Sequence, residues 1–491
     1  MIRRVEYKWL VAFVFVFGLF MNLLDVTIVN VALPTFARDF GASTTTIQWV
    51  ITGYLLSLAV FIPVSGWAGD RFGTKRIFMI ALLLFVLGSL LCGFARDIEV
   101  LIAFRVLQGV GGGLLTPVGI AMLMRAFPPA ERAQAAALIA IPTVAAPASG
   151  PVLGGYLVEY QSWHWIFYIN VPIGIAGLIA AALFLREEKQ ANPGRLDVPG
   201  FLLSASGLAC VMYALAEAGP RGFDDARVLL FGLLGLALLT SFTIVELRTT
   251  EPMIDVRLFR NKLFRASIVV QFIGFAGFAG ALFILPLLLQ AEMGLSPLQS
   301  GLTTFPQAIG VAMMVQPVGR LYHRLGPRRM MMVGMAGAAM TTLSFLLVDL
   351  ETSQWWIRLI MLVRGWFFAF TLVTLPAAAY ATISFEDTGR ATAIFNTGQQ
   401  VGSSFGVALL ATVLSNRLIH HHSALGVPGT QHSALLAFHE AFIAASVLVA
   451  LAVALALFID DKEAAGTMRQ AATAPASQKP LAAARTDRPD G

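Results

Sequence analysis

The stretch FGLFMNLLDVTIVNVALP, residues 17–34, reads as the middle of a hydrophobic helix, yet it carries one carboxylate, Asp25, with no basic residue nearby. The apolar run around it is longer than the ~20 residues that a helix needs to cross a bilayer. A carboxylate deep in such a span costs at least ~2.5 kcal/mol to insert and usually has a function. The stretch predicts a transmembrane helix with a functional acid inside it.

Similar apolar runs recur along the whole chain of 491 residues, of which 57% are hydrophobic and 13% are charged. A soluble protein of this size cannot bury that much apolar surface. The sequence therefore predicts an all-α polytopic membrane protein surrounded by lipid. We place its fourteen spans at residues 10–34, 46–66, 76–94, 100–124, 133–157, 163–185, 199–217, 227–246, 263–289, 298–319, 328–348, 354–378, 391–416 and 437–459.

Basic residues indicate how the spans are oriented. Most of the 34 lysines and arginines fall in every second loop between the spans or in the terminal segments. This distribution places those loops and both termini in the cytoplasm. No Asn-x-Ser/Thr sequence occurs, and this favours a bacterial inner membrane over a membrane of the secretory pathway. We therefore expect a multi-pass protein of the bacterial cytoplasmic membrane.

Two stretches resemble each other: GWAGDRFGTKR at 66–76 and GRLYHRLGPRR at 319–329. A second pair of similar positions follows in step, Arg105 and Arg364. Two copies of a six-helix unit explain both pairs if two helices are inserted between the copies. The predicted units are an N-terminal bundle (1–185), a linker with two inserted helices (186–262), a C-terminal bundle (263–460) and a disordered cytoplasmic tail (461–491).

Arg105 is the other charge placed deep in the first half. An isolated guanidinium in lipid is as unfavourable as an isolated carboxylate, so we expect Arg105 to approach Asp25. If Arg105 approaches Asp25 in only one conformation, ion pairing favours the charged carboxylate in that conformation. In the other conformation desolvation favours the protonated carboxyl. Asp25 would then act as a proton switch. The alternative is a permanent buried pair that does not titrate.

The loop at 66–76 has the composition of a gate between spans. Gly66 permits close helix approach, Asp70 can pair with a cation or cap the next helix, and Gly73 permits a tight turn. Its basic residues anchor the loop at the inner surface: Arg71, Lys75 and Arg76.

Span 5 contains PASGPVLGGY at 147–156, with Gly150 and Pro151 beside Gly154 and Gly155. Small residues let two helices touch, and proline bends the helix. The alternative is an ordinary glycine-rich packing face with no special role.

Several stretches together resemble the fourteen-spanner drug:H+ antiporter branch of the major facilitator superfamily. They occur in the family's order and on the corresponding spans, over about residues 9–460: LLDVTIVNVALP, GWAGDRFGTKR, LIAFRVLQGVGGG, GPVLGGY, WIFYINVPIG and LPLLLQAEMGLSPLQSGL. The resemblance implies the major facilitator fold, two pseudo-symmetric six-helix bundles around a central cavity. It also implies export of lipophilic compounds in exchange for protons by alternating access.

The resemblance implies roles for individual residues as well. Asp25 is then the membrane-embedded proton or cation site, and Arg105 belongs to the proton-coupling motif. Asp70 and Arg71 belong to the gating loop. The antiporter motif of span 5 comprises Gly150, Pro151, Gly154 and Gly155.

Polar and aromatic residues at matching depths are candidates for the substrate cavity, although each is more often a packing residue. They are Asn22, Asn30, Gln48, Tyr54, Gln108, Gln271, Phe275, Phe278, Arg364, Trp366, Phe370, Asn396 and Gln400. Arg364 is the one deep charge predicted for the second half. It either ties to a backbone carbonyl or forms part of an anion-accepting surface.

Other functional classes find little support. No nucleotide-binding loop occurs, and one deep carboxylate is too few for a membrane-embedded enzyme. We predict no cofactor, no metal site and no nucleic-acid partner, and we place the run His420–His422 in a solvated outer loop. An exporter dedicated to one metabolite, lipid or self-made antibiotic stays open as an alternative, as does a passive solute facilitator. A periplasmic adaptor also stays open as a partner.

Overall fold

The computed structural model describes residues 6–128, 131–189, 194–384, 387–459 and 461, and within them the regular structure is entirely helical. This confirms the predicted all-α class. The α-helices are α1 Tyr7–Phe40, α2 Thr44–Ile47, α3 Trp49–Phe72, α4 Thr74–Cys92, α5 Ile98–Ala126, α6 Arg132–Tyr160, α7 Trp165–Tyr168, α8 Asn170–Phe184, α9 Val198–Arg221, α10 Ala226–Arg248, α11 Lys262–Leu287, α12 Pro297–Thr304, α13 Pro306–Leu343, α14 Gln354–Ala379, α15 Thr388–His420 and α16 Gln431–Ala456.

The helices account for all of the predicted spans. In the described part of the chain, 12 helical segments are long and apolar enough to cross a membrane. The two remaining predicted spans, 133–157 and 298–319, coincide with α6 and with α12 plus the first part of α13. Helix α13 contains two spans because the chain breaks its helical path at Gly326, where φ is 76°. The protein is thus a multi-pass membrane protein.

Helices pack mainly against others of the same half of the chain. In the first half α1 lies against α5, α6 and α8, while α5 lies against α3 and α4. In the second half α11 lies against α15 and α16, and α13 against α14. The inserted helices α9 and α10 pack against each other, and α9 also contacts α3 and α15.

The halves meet along two helix pairs, α6 with α12 and α3 with α15. At the first contact the Glu159 carboxylate accepts hydrogen bonds from Ser296 Oγ at 2.5 Å and from the Leu298 N–H at 2.9 Å. At the second, Thr397 Oγ1 donates to the Ala59 carbonyl at 3.4 Å. The predicted tail, residues 461–491, lies outside the described residues except for Asp461.

Candidate functional site

Helices α1 and α5 bring the two deep charges of the first half together. Asp97 caps the start of α5, where its side chain accepts the Val100 N–H at 2.8 Å. Its glycines allow close packing, since a Cβ on Gly109 would lie 2.7 Å from the Tyr54 carbonyl oxygen and one on Gly111 2.5 Å from the Phe85 nitrogen. The approach of α3 and α4 to these glycines leaves the preceding turn of α5 deep inside the bundle.

Arg105 lies on that turn and pairs with Asp25, as the sequence analysis predicted. Its Nη1 is 2.5 Å from Oδ2 of Asp25, and the two side chains are 1% and 0% exposed. The guanidinium also donates from Nε to the Val50 carbonyl at 3.0 Å, and its Cζ lies 4.0 Å from the centre of the Tyr54 ring. The pair is therefore closed off from solvent in this conformation.

Two amides complete the contacts of the carboxylate. Gln108 donates from Nε2 to Asp25 Oδ1 at 2.9 Å and accepts from Arg105 Nη1 at 2.7 Å, so it bridges the pair. Asn170, at the start of α8, donates to the same Oδ1 at 3.2 Å. Sequence reasoning missed Asn170, although it lies in the quoted stretch WIFYINVPIG. A lone polar residue at the start of an apolar span was the only signal.

A second layer of hydrogen bonds surrounds the pair. The Tyr54 hydroxyl donates to Asn22 Oδ1 at 2.5 Å, and Asn22 Nδ2 donates to Thr116 Oγ1 at 2.9 Å. Three predicted cavity residues, Asn22, Tyr54 and Gln108, thus belong to the Asp25 network rather than to an open cavity. They hold the pair in place.

The other predicted cavity amides do not join this network. Gln48 and Gln271 are fully buried, and neither side-chain amide has a hydrogen-bond partner in the described structure. Asn30 donates to the Val26 carbonyl of its own helix at 3.1 Å. Asn396 and Gln400 lie half-buried on α15. Two buried amides among the predicted cavity residues are therefore left without partners in the described structure.

Arg364 takes a different set of partners from Arg105. It donates to Gln307 Oε1 at 2.9 Å and to the Phe278 carbonyl at 3.2 Å, and its Cζ lies 4.7 Å from the Phe278 ring centre. No carboxylate among the described residues pairs with it, and its Nε has no hydrogen-bond partner. The predicted hydrogen bond from Arg364 to a backbone carbonyl is therefore present, and no carboxylate of the described residues compensates the positive charge of Arg364.

Aromatic side chains lie beside this arginine. The rings of Phe278 and Phe368 stack at 3.7 Å, and Phe275 contacts both edge-on at 6.4 Å and 5.6 Å. Trp366 is half-buried, and its Nε1 has no hydrogen-bond partner. Phe370, in contrast, borders a separate pocket beside Arg320 and Arg324.

A cavity of 730 Å³ lies between the two halves, at the far ends of α1, α11 and α15. Thr35, Arg38 and Gln290 contribute its polar groups, together with main-chain and small side chains. None of the predicted cavity residues lines it. The prediction placed the polar residues at mid-depth, whereas the halves separate nearer the helix ends.

The predicted gating loop is fastened by ion pairs. Asp70 lies 3.0 Å from Arg125 Nη2 at the end of α5, and Arg76 lies 3.6 Å from Glu187 after α8. Arg71 is exposed. Gly73 has φ of 103°, a conformation that side chains other than glycine rarely adopt, so the tight turn is present as predicted.

Gly66 does not make the predicted close approach in this conformation. A Cβ on Gly66 would meet nothing within 4 Å, and the same holds for its counterpart Gly319 in the second repeat. Both glycines face open space in this conformation.

The glycines of α6 face two different helices. Gly150 and Gly154 pack against α1, where a Cβ on Gly154 would lie 2.9 Å from the Ile28 carbonyl oxygen. Gly155 packs against α12, where a Cβ would lie 2.7 Å from Leu298 Cα. Pro151 lies within α6, and its carbonyl contacts Gly301 of α12. Small residues therefore let α6 fit between α1 and the other half of the chain.

The histidine run is less solvated than predicted. His420 is the last residue of α15, and His421 Nε2 lies 3.2 Å from the Glu440 carboxylate, which also lies 3.0 Å from Arg417 Nε. His420 and His422 are exposed, as a solvated position requires, whereas His421 is half-buried against Glu440.

Comparison with known proteins places this arrangement in a family. The sequence model of the family described as Major Facilitator Superfamily matches residues 15–407 of this chain. The multidrug resistance protein B homolog of Mycobacterium tuberculosis is 37% identical over 405 residues, which cover 82% of this chain and 75% of that protein.

Solved structures share the fold at low identity. A bacterial homologue of the human lysosomal transporter Spinster, inward-facing and unoccupied, superposes with a TM-score of 0.64 at 17% identity, covering 95% of this chain and 99% of the other. A peptide transporter in complex with sulfate gives a TM-score of 0.66 at 15% identity, with 92% and 95% covered. The chain is a transporter that belongs to the major facilitator superfamily.

Proposed function

We propose that the chain is a proton-coupled antiporter that exports lipophilic drugs or toxic compounds by alternating access, with Asp25 as the proton or cation site. The buried pair of Asp25 and Arg105 carries the proposal. Its two charges compensate each other only while they touch, so a helix movement that separates them favours a protonated carboxyl. The name of the multidrug resistance protein B homolog, 37% identical, supports drugs as the exported class.

Alternating access requires two bodies that move against each other. We propose residues 1–185 and 263–460 as these bodies and 186–262 as the linker with its inserted helices, since most helix packing stays within each half. The open space at Gly66 and Gly319 is consistent with halves that approach each other there in another conformation. The bacterial inner membrane with both termini in the cytoplasm is the proposed setting.

A flux assay in reconstituted vesicles tests this function. We expect a lipophilic substrate to drive proton movement with the wild-type chain and not with Asp25→Asn, because the amide keeps the size of the carboxylate and cannot titrate. Asp39→Asn is the matched control, since Asp39 is an exposed carboxylate on the same helix. Proton coupling that persists in Asp25→Asn would disprove the proposal, provided that both variants elute as folded protein.

Two rival functions give different results in the same vesicles. A passive facilitator would move its solute without a proton gradient and would be indifferent to Asp25→Asn. An exporter dedicated to one compound would couple to protons but would accept one chemical class in a substrate screen. The screen, rather than the proton measurement, separates this last alternative from broad drug export.

A further inference from the structure

Two buried carboxylates lie at one end of the inserted helices. Asp197 directly precedes α9, and Glu246 lies in the last turn of α10; they are 8% and 0% exposed. Asp197 Oδ2 and Glu246 Oε2 have no hydrogen-bond partner, and neither side chain forms an ion pair within the described structure. Burying two such groups as full charges would be very unfavourable.

The two side chains point to the same place. A Cβ built on Gly200, in the first turn of α9, would lie 2.9 Å from Glu246 Oε1 and still closer to Asp197 Oδ2. Both carboxyl groups therefore border the same small space beside Gly200. Two carboxyl groups that border one space disfavour each other's ionisation.

The start of α9 cannot neutralise both charges. Its N–H groups are already used: Val198 bonds to the Leu196 carbonyl, and Phe201 bonds to the Asp197 carbonyl. Gly200 donates to Asp197 Oδ1 at 2.9 Å, and Pro199 has no N–H. No donor of α9 remains for the second carboxylate.

Glu246 depends on the segment after α10 instead. Its Oε1 accepts the Ile254 N–H at 3.2 Å. The guanidinium of Arg257 is occupied with the carbonyls of Leu247 and Thr249, at 3.1 Å and 2.9 Å. The Met253 N–H also faces the Glu246 carboxylate, and backbone N–H groups do not replace a counter-charge.

The remaining charged groups nearby do not supply a cation either. Asp255 is a third carboxylate, and Arg390 of α15 lies 3.3 Å from its Oδ2. Glu251 is exposed and accepts the Arg195 N–H at 2.7 Å. Arg390 is thus paired with Asp255 and Arg257 is held by main-chain carbonyls, and neither forms an ion pair with Asp197 or Glu246.

We propose that Asp197 and Glu246 form a second proton-binding site, distinct from Asp25, in which the two carboxyl groups share one proton. A proton between them replaces the repulsion by an O–H···O hydrogen bond to a charged acceptor, the stronger kind of hydrogen bond. The site connects to both halves of the chain. Trp67 of α3 donates to the Gly194 carbonyl at 3.3 Å, and Arg390 reaches the linker at Asp255.

The shared proton makes a prediction with a definite sign. The folded chain holds one proton more than the unfolded chain at neutral pH, so its stability falls as pH rises. Glu246→Gln imitates the protonated pair and should remove this fall. The measurement is the melting temperature of the purified full-length chain in detergent, without substrate, from pH 6 to pH 8.5. It does not depend on the proposed drug export.

Infrared difference spectroscopy gives a second readout on the same samples. We expect a protonated-carboxyl absorption at neutral pH that is lost in Glu246→Gln. In Asp197→Asn it should shift in frequency, because Glu246 stays buried but loses its carboxylate acceptor, so each variant gives a readout if the other fails to fold. Glu251→Gln is the matched control, because it removes an exposed carboxylate from the same linker. It should leave both signals unchanged.

Two results would overturn the inference. One is a wild-type melting temperature that changes with pH as that of Glu246→Gln does, together with no protonated-carboxyl absorption in the wild-type chain. The other is a melting temperature that rises at pH 8 when sodium replaces N-methylglucamine at constant ionic strength, which would mean that a metal cation occupies the place of the proton.

Discussion

Glu187 and Asp461 occupy matching positions, each just after the last helix of one six-helix unit. Glu187 Oε1 accepts the Lys75 N–H at 3.1 Å, and Asp461 Oδ1 accepts the Arg328 N–H at 2.8 Å; both donors follow a glycine of positive φ by two residues. Each carboxylate therefore caps the start of a helix, where the backbone dipole favours negative charge. The second repeat thus has the same carboxylate-to-backbone hydrogen bond as the first.

The first prediction concerns this fastening. Glu187→Gln removes the charge at the start of α4 and the ion pair with Arg76, a loss of about 0.3–1 kcal/mol. We expect slower transport with unchanged substrate affinity, because the loop contacts no predicted substrate group. Transport and binding assays on the same preparation measure both quantities. Glu188→Gln, an exposed neighbour, should have no effect.

The second prediction uses the pair of Asp70 and Arg125, which are 28% and 36% exposed. Asp70→Asn should lower the turnover and leave affinity intact, and the stability change should stay within ~1 kcal/mol because the pair is partly solvated. The exchanged pair, Asp70→Arg with Arg125→Asp, should recover turnover if the ion pair itself matters. Failure of the exchange with normal folding would assign Asp70 a partner other than Arg125.

The sequence predicted the deep pair because burial allows few alternatives for lone charges. Arg105 had one carboxylate to meet, and the structure joins them. Asn170 and the convergence of Asp197 with Glu246 depend instead on how helices distant in sequence pack, and no local pattern indicates such contacts. The list of cavity residues stays a prediction, since polarity at one depth does not say which helices separate.

The third prediction tests the pairing of Asp25 and Arg105 directly. Arg105→Gln keeps hydrogen-bond donors at the site but removes the cation that favours the ionised carboxylate. Asp25 should then hold its proton to higher pH, and the pH profile of transport should move upward. An unchanged profile in a folded variant would show that the pair does not control the proton.

The fourth prediction concerns the contact of α6 with α12. Glu159 accepts from Ser296 and Leu298 across the two halves and caps α12. Glu159→Gln weakens this tie, so the halves should separate more readily at that end. Ser415 faces the 730 Å³ cavity. A cysteine introduced there by Ser415→Cys should react faster with a thiol reagent in the Glu159→Gln variant. The control is the same labelling experiment in the Glu217→Gln variant, which loses only the ion pair with Arg221.

The last prediction follows from the charges that lie away from the helix ends, Asp25 with Arg105 in the first half and Arg364 in the second. Each proton that enters down a potential of 100 mV releases ~2.3 kcal/mol, worth about fifty-fold in concentration at ~1.36 kcal/mol per decade. Export of a neutral substrate in exchange for one proton should therefore respond to voltage. A monovalent cation exchanged for one proton moves no net charge and should follow the pH gradient alone.

Divalent cations should be poor substrates for the same reason. Asp25 can offset one positive charge, and Arg364 is uncompensated and repels cations. Two further carboxylates are engaged elsewhere, Glu159 with α12 and Glu217 with Arg221. Uptake into inverted vesicles, with the pH gradient and the potential collapsed separately, measures all three substrate classes. Arg364→Gln should relax the exclusion of divalent cations, since it removes the repelling charge and retains hydrogen-bond donors for Gln307 and the Phe278 carbonyl. Efficient, voltage-sensitive transport of a divalent cation by the wild-type chain would show that a second carboxylate reaches the substrate.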